Sequence, residues 1–320
     1  MLFRSLIIDM NYREYIAGDT KVSEIGLGSW QLGIDSGWKL ITEKNAIKIV
    51  EKAIDLGVNF FDTAPCYGNG SSEERLGRAL KSYDRNKIVI STKFGRDEHG
   101  NVDFSSTKIV NSVESSLKRL RTDYLDSVIL HSPPIEILDG NKNDHYEIFE
   151  KLINAGKIKA YGASIDTSKE IDLLLNTTNS KIIQAFYNIF HQDVKRSFKS
   201  IDNQKVGLVV KVPLDSGWLT GKYNNKSSFT GVRDRWSKDD IALRSKLVDR
   251  LYKLIGDDYS LKKVALRFCL SNNSVSTVIP GVLSIDQLNN NIIDINDEIP
   301  SDLINELYDL YNSRSEEHTS

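Results

Sequence analysis

Four residues carry the chemistry that this sequence offers: Asp62, Tyr67, Lys93 and His131. The apolar pair Phe60-Phe61 ends on Asp62, and the turn Pro65-Cys66-Tyr67-Gly68 presents a tyrosine just beyond it. Residues 88–92 end on Lys93, and residues 124–130 end on His131. A phenol with an ordinary pKa near ~10 is a poor acid at neutral pH unless its phenolate is stabilised. A lysine beside the hydroxyl does this electrostatically, and a carboxylate paired with that lysine holds it in place. A histidine adds a hydrogen-bond donor for an oxygen that gains charge. Taken singly, the four read as a cap, a packed aromatic, a surface charge and a core histidine. Together, at three successive strand ends, they read as a site for proton transfer.

Such convergence needs parallel neighbouring strands, and the hydrophobic pattern supplies them. Residues 21–30 read as the first barrel strand, after a short N-terminal hairpin. Residues 43–56 form an amphipathic helix, with Ala46, Ile47, Ile49, Val50, Ala53, Ile54 and Leu56 at helical spacing and Gly57 as its stop. Ser71 and Glu74 have the form of a capping box for a helix that runs to about residue 83. Further strands end at Lys93 and His131 or span 160–165, 182–186, 206–212 and 275–279. Helices are predicted over 106–120, 144–155, 168–175, 194–202, 239–255, 261–270 and 284–292. The segment 213–238 is a long polar loop after the seventh strand, a length usually reserved for function. One repeated strand–helix theme predicts a single-domain α/β fold, a (β/α)8 TIM barrel, whose chemistry lies where strands run into helices.

The motifs Phe61-Asp62-Thr63-Ala64 with Tyr67-Gly68, Ser91-Thr92-Lys93, Leu130-His131 and Ile279-Pro280-Gly281 resemble the aldo/keto reductase family, over residues 12–291. The resemblance implies a catalytic tetrad of Asp62, Tyr67, Lys93 and His131. It also implies an NAD(P)(H)-dependent oxidoreductase interconverting an aldehyde, ketone or sugar carbonyl with its alcohol. Tyr67 would be the general acid/base, and His131 would orient the carbonyl oxygen. The dinucleotide would lie across the barrel mouth, with Ser164 and Gln184 on its carboxamide. Ile165 stands where the family often has Asn or Arg, and Lys211 stands where an aromatic often faces the nicotinamide. Pro213, Leu214, Ser216 and Lys222 match the pyrophosphate strap. Gly281, Gln287, Asn290 and Asn291 match the adenosine end, with Ser284 opening a helix that can hold a phosphate. The family favours NADP(H). Residues 268–313 hold no Lys or Arg for its 2′-phosphate, so NAD(H) is expected to serve well, with Lys222, Arg233 and Arg235 as distant cations. Trp30, Trp38, Trp218 and Trp236 fall near strand ends one and seven. Pocket wall and loop packing are both open to them; the first three are assigned to the substrate. Two other readings stay open: the same site run oxidatively as a sugar or polyol dehydrogenase, and a cofactor-binding regulatory subunit of a membrane channel.

Other chemistries find no support. Gly26-Leu27-Gly28 is followed by Gln31 where a Rossmann fingerprint needs glycine. There is no Walker loop, and the five histidines are scattered, so no metal is expected. With 320 residues, 40% hydrophobic, 27% charged and a net charge of −2, the chain suits one large domain with a small-molecule substrate and no nucleic-acid partner. Two cysteines, the lack of a membrane-length apolar run and a start too short for a signal peptide lead to a cytoplasmic expectation. Oligomeric state is left open. The domain is assigned to 10–313. Residues 1–9 and 314–320 are expected to be non-native or disordered, because Leu2-Phe3-Arg4-Ser5 and the last seven residues share the form of translated adaptor DNA.

Overall fold

The computed structural model describes residues 10–33, 41–230, 234–296 and 298–316. Trp38, Arg233 and the proposed foreign residues 1–9 and 317–320 lie outside the described residues.

The first described element is a hairpin, β1 (Tyr12–Ile16) against β2 (Thr20–Ser23). Eight parallel strands follow: β3 (Leu27–Gly28), β4 (Phe60–Asp62), β5 (Val89–Phe94), β6 (Leu125–His131), β7 (Ile158–Ser164), β8 (Ile182–Phe186), β9 (Gly207–Lys211) and β10 (Val275–Ile279). They pair in sequence order. Single parallel bridges, Ile25 to Val278 and Gly28 to Gly281, bring the two edges together and close the barrel. Between the strands run α1 (Glu43–Asp55), α2 (Ser71–Leu80), α3 (Ile109–Leu120), α4 (His145–Asn154), α5 (Ser168–Thr177) and α6 (Phe198–Asn203). Then come α7 (Lys238–Ile255), α8 (Leu261–Leu270), α9 (Ile285–Ile293) and α10 (Ser301–Glu316). None of the described helices is long and apolar enough to cross a membrane.

The strands are apolar on both faces because each face is covered. One core lies between strands and helices. A second fills the barrel, where Phe60, Val89, Ile129, Ala160, Ile182, Val209 and Ile279 meet Tyr15 of the hairpin. Tyr15 plugs the bottom, with its hydroxyl 2.6 Å from Ser127 Oγ. Arg13 fastens the plug by donating to the carbonyls of Leu270, Asn272 and Val275 and pairing with Glu24. The bottom is therefore sealed by the hairpin.

Several local expectations are corrected. The stretch 21–30 is not one strand: its first part belongs to the hairpin, and only Leu27–Gly28 joins the barrel ladder. The backbone there passes so close to Phe60 and Ile279 that glycine is needed, since a Cβ on Gly26 would lie 2.7 Å from the Phe60 ring. The Ser71/Glu74 capping box does not form. Gly70 occupies the N-cap of α2 in the left-handed region (φ 85), and Glu74 turns outward to Arg78 at 3.1 Å. The turn before it also uses left-handed Gly68 and Asn69, so conformation rather than a side chain starts the helix. α10 was not anticipated. It buries Leu303 and Leu307 and sets Tyr308 against Phe268, with centroids 5.2 Å apart. The proposed boundary at residue 313 falls inside this helix.

Candidate active site

The tetrad assembles at the open mouth. Asp62 ends β4, Lys93 is the penultimate residue of β5, and His131 ends β6. Ladder pairing places these strands side by side, Asp62 opposite Ser91 and Lys93 opposite Ile129. Lys93 Nζ donates to both carboxylate oxygens of Asp62 (2.8 and 2.7 Å) and to the Thr63 carbonyl (2.8 Å). Both side chains are buried, so the pair survives because every charge is met by a hydrogen bond. Nζ lies 4.9 Å from the centroid of the Tyr67 ring. The Tyr67 ring meets the His131 ring edge to face, with centroids 5.9 Å apart. Tyr67 and His131 are half-buried, so part of each stays open to the mouth.

The protonation states follow from this crowding. Burial holds the Tyr67 phenol well above its ordinary value, and the charge of Asp62 and the nearby Cys66 push the same way. Burial also drives His131 down to about 2, reinforced by the cations Lys93, Arg96 and Lys211. At neutral pH the site thus holds a protonated phenol and a neutral imidazole. The Lys93 ammonium beside the ring is engaged by Asp62 and Thr63, and the Asp62 charge opposes the phenolate.

A polar chain runs from the tetrad along the next strand ends. Gln184 Nε2 donates to Asp62 Oδ2 (2.7 Å), and Ser164 Oγ donates to Gln184 Oε1 (3.2 Å). Lys211 Nζ donates to Ser164 Oγ (3.0 Å) and pairs with Asp166 (3.0 Å), 4.8 Å from the Phe186 centroid. Burial lowers the Lys211 pKa, and Asp166 partly opposes that. Ile165 is buried and adds no polar group.

The strap after β9 is built on left-handed residues: Val212 (φ 52), Asp215 (φ 42), Ser216 (φ 56) and Gly217 (φ 103). Three are not glycine, a strain that the surroundings must hold. Buried Asp215 does so through Arg244 (3.1 Å) and His191 (3.4 Å), and Asn188 Nδ2 donates to the Val212 carbonyl (2.9 Å). Pro213 is buried and Leu214 half-buried beneath the strap. Arg235 donates to Ser216 Oγ (2.9 Å), and Lys222 is exposed. Beyond β10, the Gln31 amide sits 2.0 Å from where a Gly281 Cβ would be, so a larger residue there would have to displace that side chain. Ser284 Oγ caps α9 by accepting from the Gln287 N–H (3.2 Å), while Gln287 Oε1 accepts from the Leu283 N–H (2.8 Å). Asn290 is exposed and Asn291 buried.

These groups fit a nicotinamide dinucleotide. An amide–hydroxyl pair lies beside the tetrad, two cations lie at the strap, and a helix N-terminus follows Gly281. The charge in the first turn of α9 is Asp286, which would oppose a phosphate bound there.

Trp30 is half-buried and follows β3 at the mouth. Trp218 is corrected: it is fully buried and packs against Tyr223, Phe229 and Trp236 at 5.7–6.0 Å. It staples the long loop and offers no surface to a substrate. Three residues at the mouth were not anticipated: Cys66, whose Sγ lies 3.8 Å from His131 Nδ1, Asp166, and Arg96, whose charge acts on His131. Cys66 lies inside the Asp62–Tyr67 motif and Asp166 two residues past Ser164, so proximity in sequence was the available signal. Among the described residues no cluster of His, Cys, Asp and Glu could hold a metal ion.

The family model described as "Aldo/keto reductase family" matches residues 24–312. Aldo-keto reductase YhdN of Bacillus subtilis (strain 168) is 34% identical over 295 residues, which cover 87% of each chain. The solved structure of aldo-keto reductase AKR11C1 from Bacillus halodurans (holo form) superposes with a TM-score of 0.81 at 29% identity, covering 94% of this chain and 96% of that one. Glycerol dehydrogenase AKR11B4 from Gluconobacter oxydans gives 0.79 at 26% identity, covering 93% and 94%.

Proposed function

This chain belongs to the aldo/keto reductase family, and from that premise we propose that it reduces a small aldehyde, ketone or sugar carbonyl to the alcohol. The observation that carries the proposal is the Tyr67–His131 edge contact above the buried Asp62–Lys93 pair. A nicotinamide dinucleotide held by Ser164, Gln184, the strap 213–222 and the start of α9 would supply a hydride to the carbonyl carbon.

The chain's own residues do the rest. Neutral His131 donates one N–H to the carbonyl oxygen and orients it without adding a charge. The Tyr67 hydroxyl donates its proton as that oxygen becomes an alkoxide. The phenolate left behind faces the Lys93 ammonium, whose position Asp62 and Thr63 hold. Burial keeps the phenol protonated, so the proton that reduction consumes is in place, and the nearby Lys93 ammonium would stabilise the phenolate as it forms. Oxidation needs the phenolate first, so the same site works as a dehydrogenase only as the pH rises. The likeness to a glycerol dehydrogenase supports that second reading for polyol substrates.

Turnover of aldehydes, ketones, sugars and polyols with NADH and with NADPH tests the proposal. Reduction of one or more carbonyl classes, lost in Tyr67→Phe, is the expected result. A protein inert toward the whole panel with both cofactors would contradict it.

A further inference from the structure

The contact between Cys66 and His131 lies next to the reacting groups, and the mechanism so far makes no use of it. Cys66 sits on the turn after β4, fixed by the Tyr67 N–H bond to the Ala64 carbonyl (3.1 Å). His131 sits at the end of β6, in register with Ser164 of β7. The two backbones are thus held independently, and they bring Sγ to 3.8 Å from Nδ1. We infer that Cys66 is a positioning residue, whose thiol donates to Nδ1 of His131 and so keeps the imidazole proton on Nε2. The inference rests on the reading of His131 as the donor to the carbonyl oxygen.

A neutral imidazole has one N–H and one bare nitrogen, and the partner of one nitrogen decides the state of the other. His131 is neutral across the working range, because burial and the cations Lys93, Arg96 and Lys211 oppose its protonation. Burial also raises the Cys66 thiol, outweighing the pull of Lys93 and Arg96, so sulfur keeps its proton and can donate. A thiolate would do the reverse. It would take the proton at Nδ1 and leave Nε2 bare toward an oxygen that needs a donor.

The tautomer can be read directly from long-range proton–nitrogen NMR spectra of protein labelled with ¹⁵N-histidine. The His131 signals are assigned by their loss in His131→Asn. Wild type should show the pattern of a proton on Nε2, Cys66→Ala a mixed or reversed pattern, and Cys66→Ser the wild-type pattern. Alongside, kcat should fall about threefold to tenfold in Cys66→Ala, the scale of one modest hydrogen bond. Cofactor affinity should stay unchanged, and Cys66→Ser should recover the rate. A wild-type proton on Nδ1, or a tautomer unmoved by Cys66→Ala in a protein of unchanged melting temperature, would overturn the inference. The spectral readout is separate from the functional proposal. Absent turnover in the wild type would sink that proposal while the spectra still decided the tautomer.

Discussion

The two sides of the barrel mouth are built differently. On the side of β4 to β6, the proposed reacting groups stand at or just beyond the ends of hydrogen-bonded strands, and the Asp62–Lys93 pair is 4% and 1% exposed. On the side of β7 to β10, the corresponding pair is Asp166–Lys211, in which Lys211 ends β9 and is 15% exposed, while Asp166 stands on the loop after β7 and is 38% exposed. The strap there depends on four left-handed residues tied down by Asp215, Asn188 and Arg235. The first side is preorganised, because its charges have no water to fall back on. The second is more open at Asp166, whose carboxylate has water as an alternative partner. Gln184 joins the two, holding Asp62 with its amide N–H and taking the Ser164 hydroxyl with its carbonyl.

Substitutions on the two sides should therefore differ in kind. The largest effect belongs to Tyr67→Phe, which should lower kcat by roughly 10²–10⁴-fold while cofactor affinity stays nearly constant. Steady-state kinetics with a fluorescence titration checks both, and near-normal turnover in a reaction limited by chemistry would refute the assignment. Next comes Asp62→Asn, which strands a buried ammonium and should cost about 3–5 kcal/mol of stability. Asp166→Asn, on the more exposed pair, should cost under about 1 kcal/mol. Denaturant unfolding of the two variants in parallel gives the contrast, and equal losses would abolish the distinction between the sides.

A smaller effect links His131 to pH. Its folded-state pKa lies far below its unfolded value, so only the unfolded chain takes up this proton as pH falls below ~6.5. The stability associated with neutral His131 is present above that pH and is lost below it. By pH ~5 the loss should approach about 2 kcal/mol, and His131→Asn should flatten that limb of the melting curve. An unchanged acid limb in the variant would contradict the burial argument. The smallest effect concerns the more open side. With Asp286 and no Lys or Arg across residues 268–313, the preference for NADPH over NADH should be less than about tenfold, or ~1.4 kcal/mol. Parallel kcat/KM values decide this, and a preference of roughly a hundredfold or more, about twice that free energy, would show that a distant cation reaches the 2′-phosphate.

The same contrast explains what could be read in the sequence. Asp62, Lys93 and His131 each end an apolar run, so strand periodicity alone placed them at one level, and the barrel followed from the alternation. The partners of Lys93 were also foreseen in part, through Asp62. What escaped depends on distance in three dimensions. Gln184 reaches Asp62 across 122 residues, and Trp218 turns inward because Phe229, Tyr223 and Trp236 close around it. Tryptophans in a glycine-rich loop read equally well as pocket wall or as loop core. The start of α2 escaped because a left-handed glycine did the work expected of a serine. In α10, Leu303, Leu307 and Leu310 do have helical spacing. That signal is local and legible, but the segment lies beyond the motifs that carry the family resemblance.

The central claim is that Tyr67 meets its substrate as a protonated acid. The pH dependence of kcat in both directions, measured on one carbonyl–alcohol pair, tests it most directly. A phenol raised well above 10 does not titrate between pH 6 and 9, so reduction should stay level across that range. Oxidation draws on the phenolate, whose fraction grows about tenfold per pH unit below the pKa, so it should climb steadily over the same range. A reductive rate that falls with an apparent pKa near ~7–8, while oxidation levels off there, would show that Lys93 does ionise the phenol and would contradict the account.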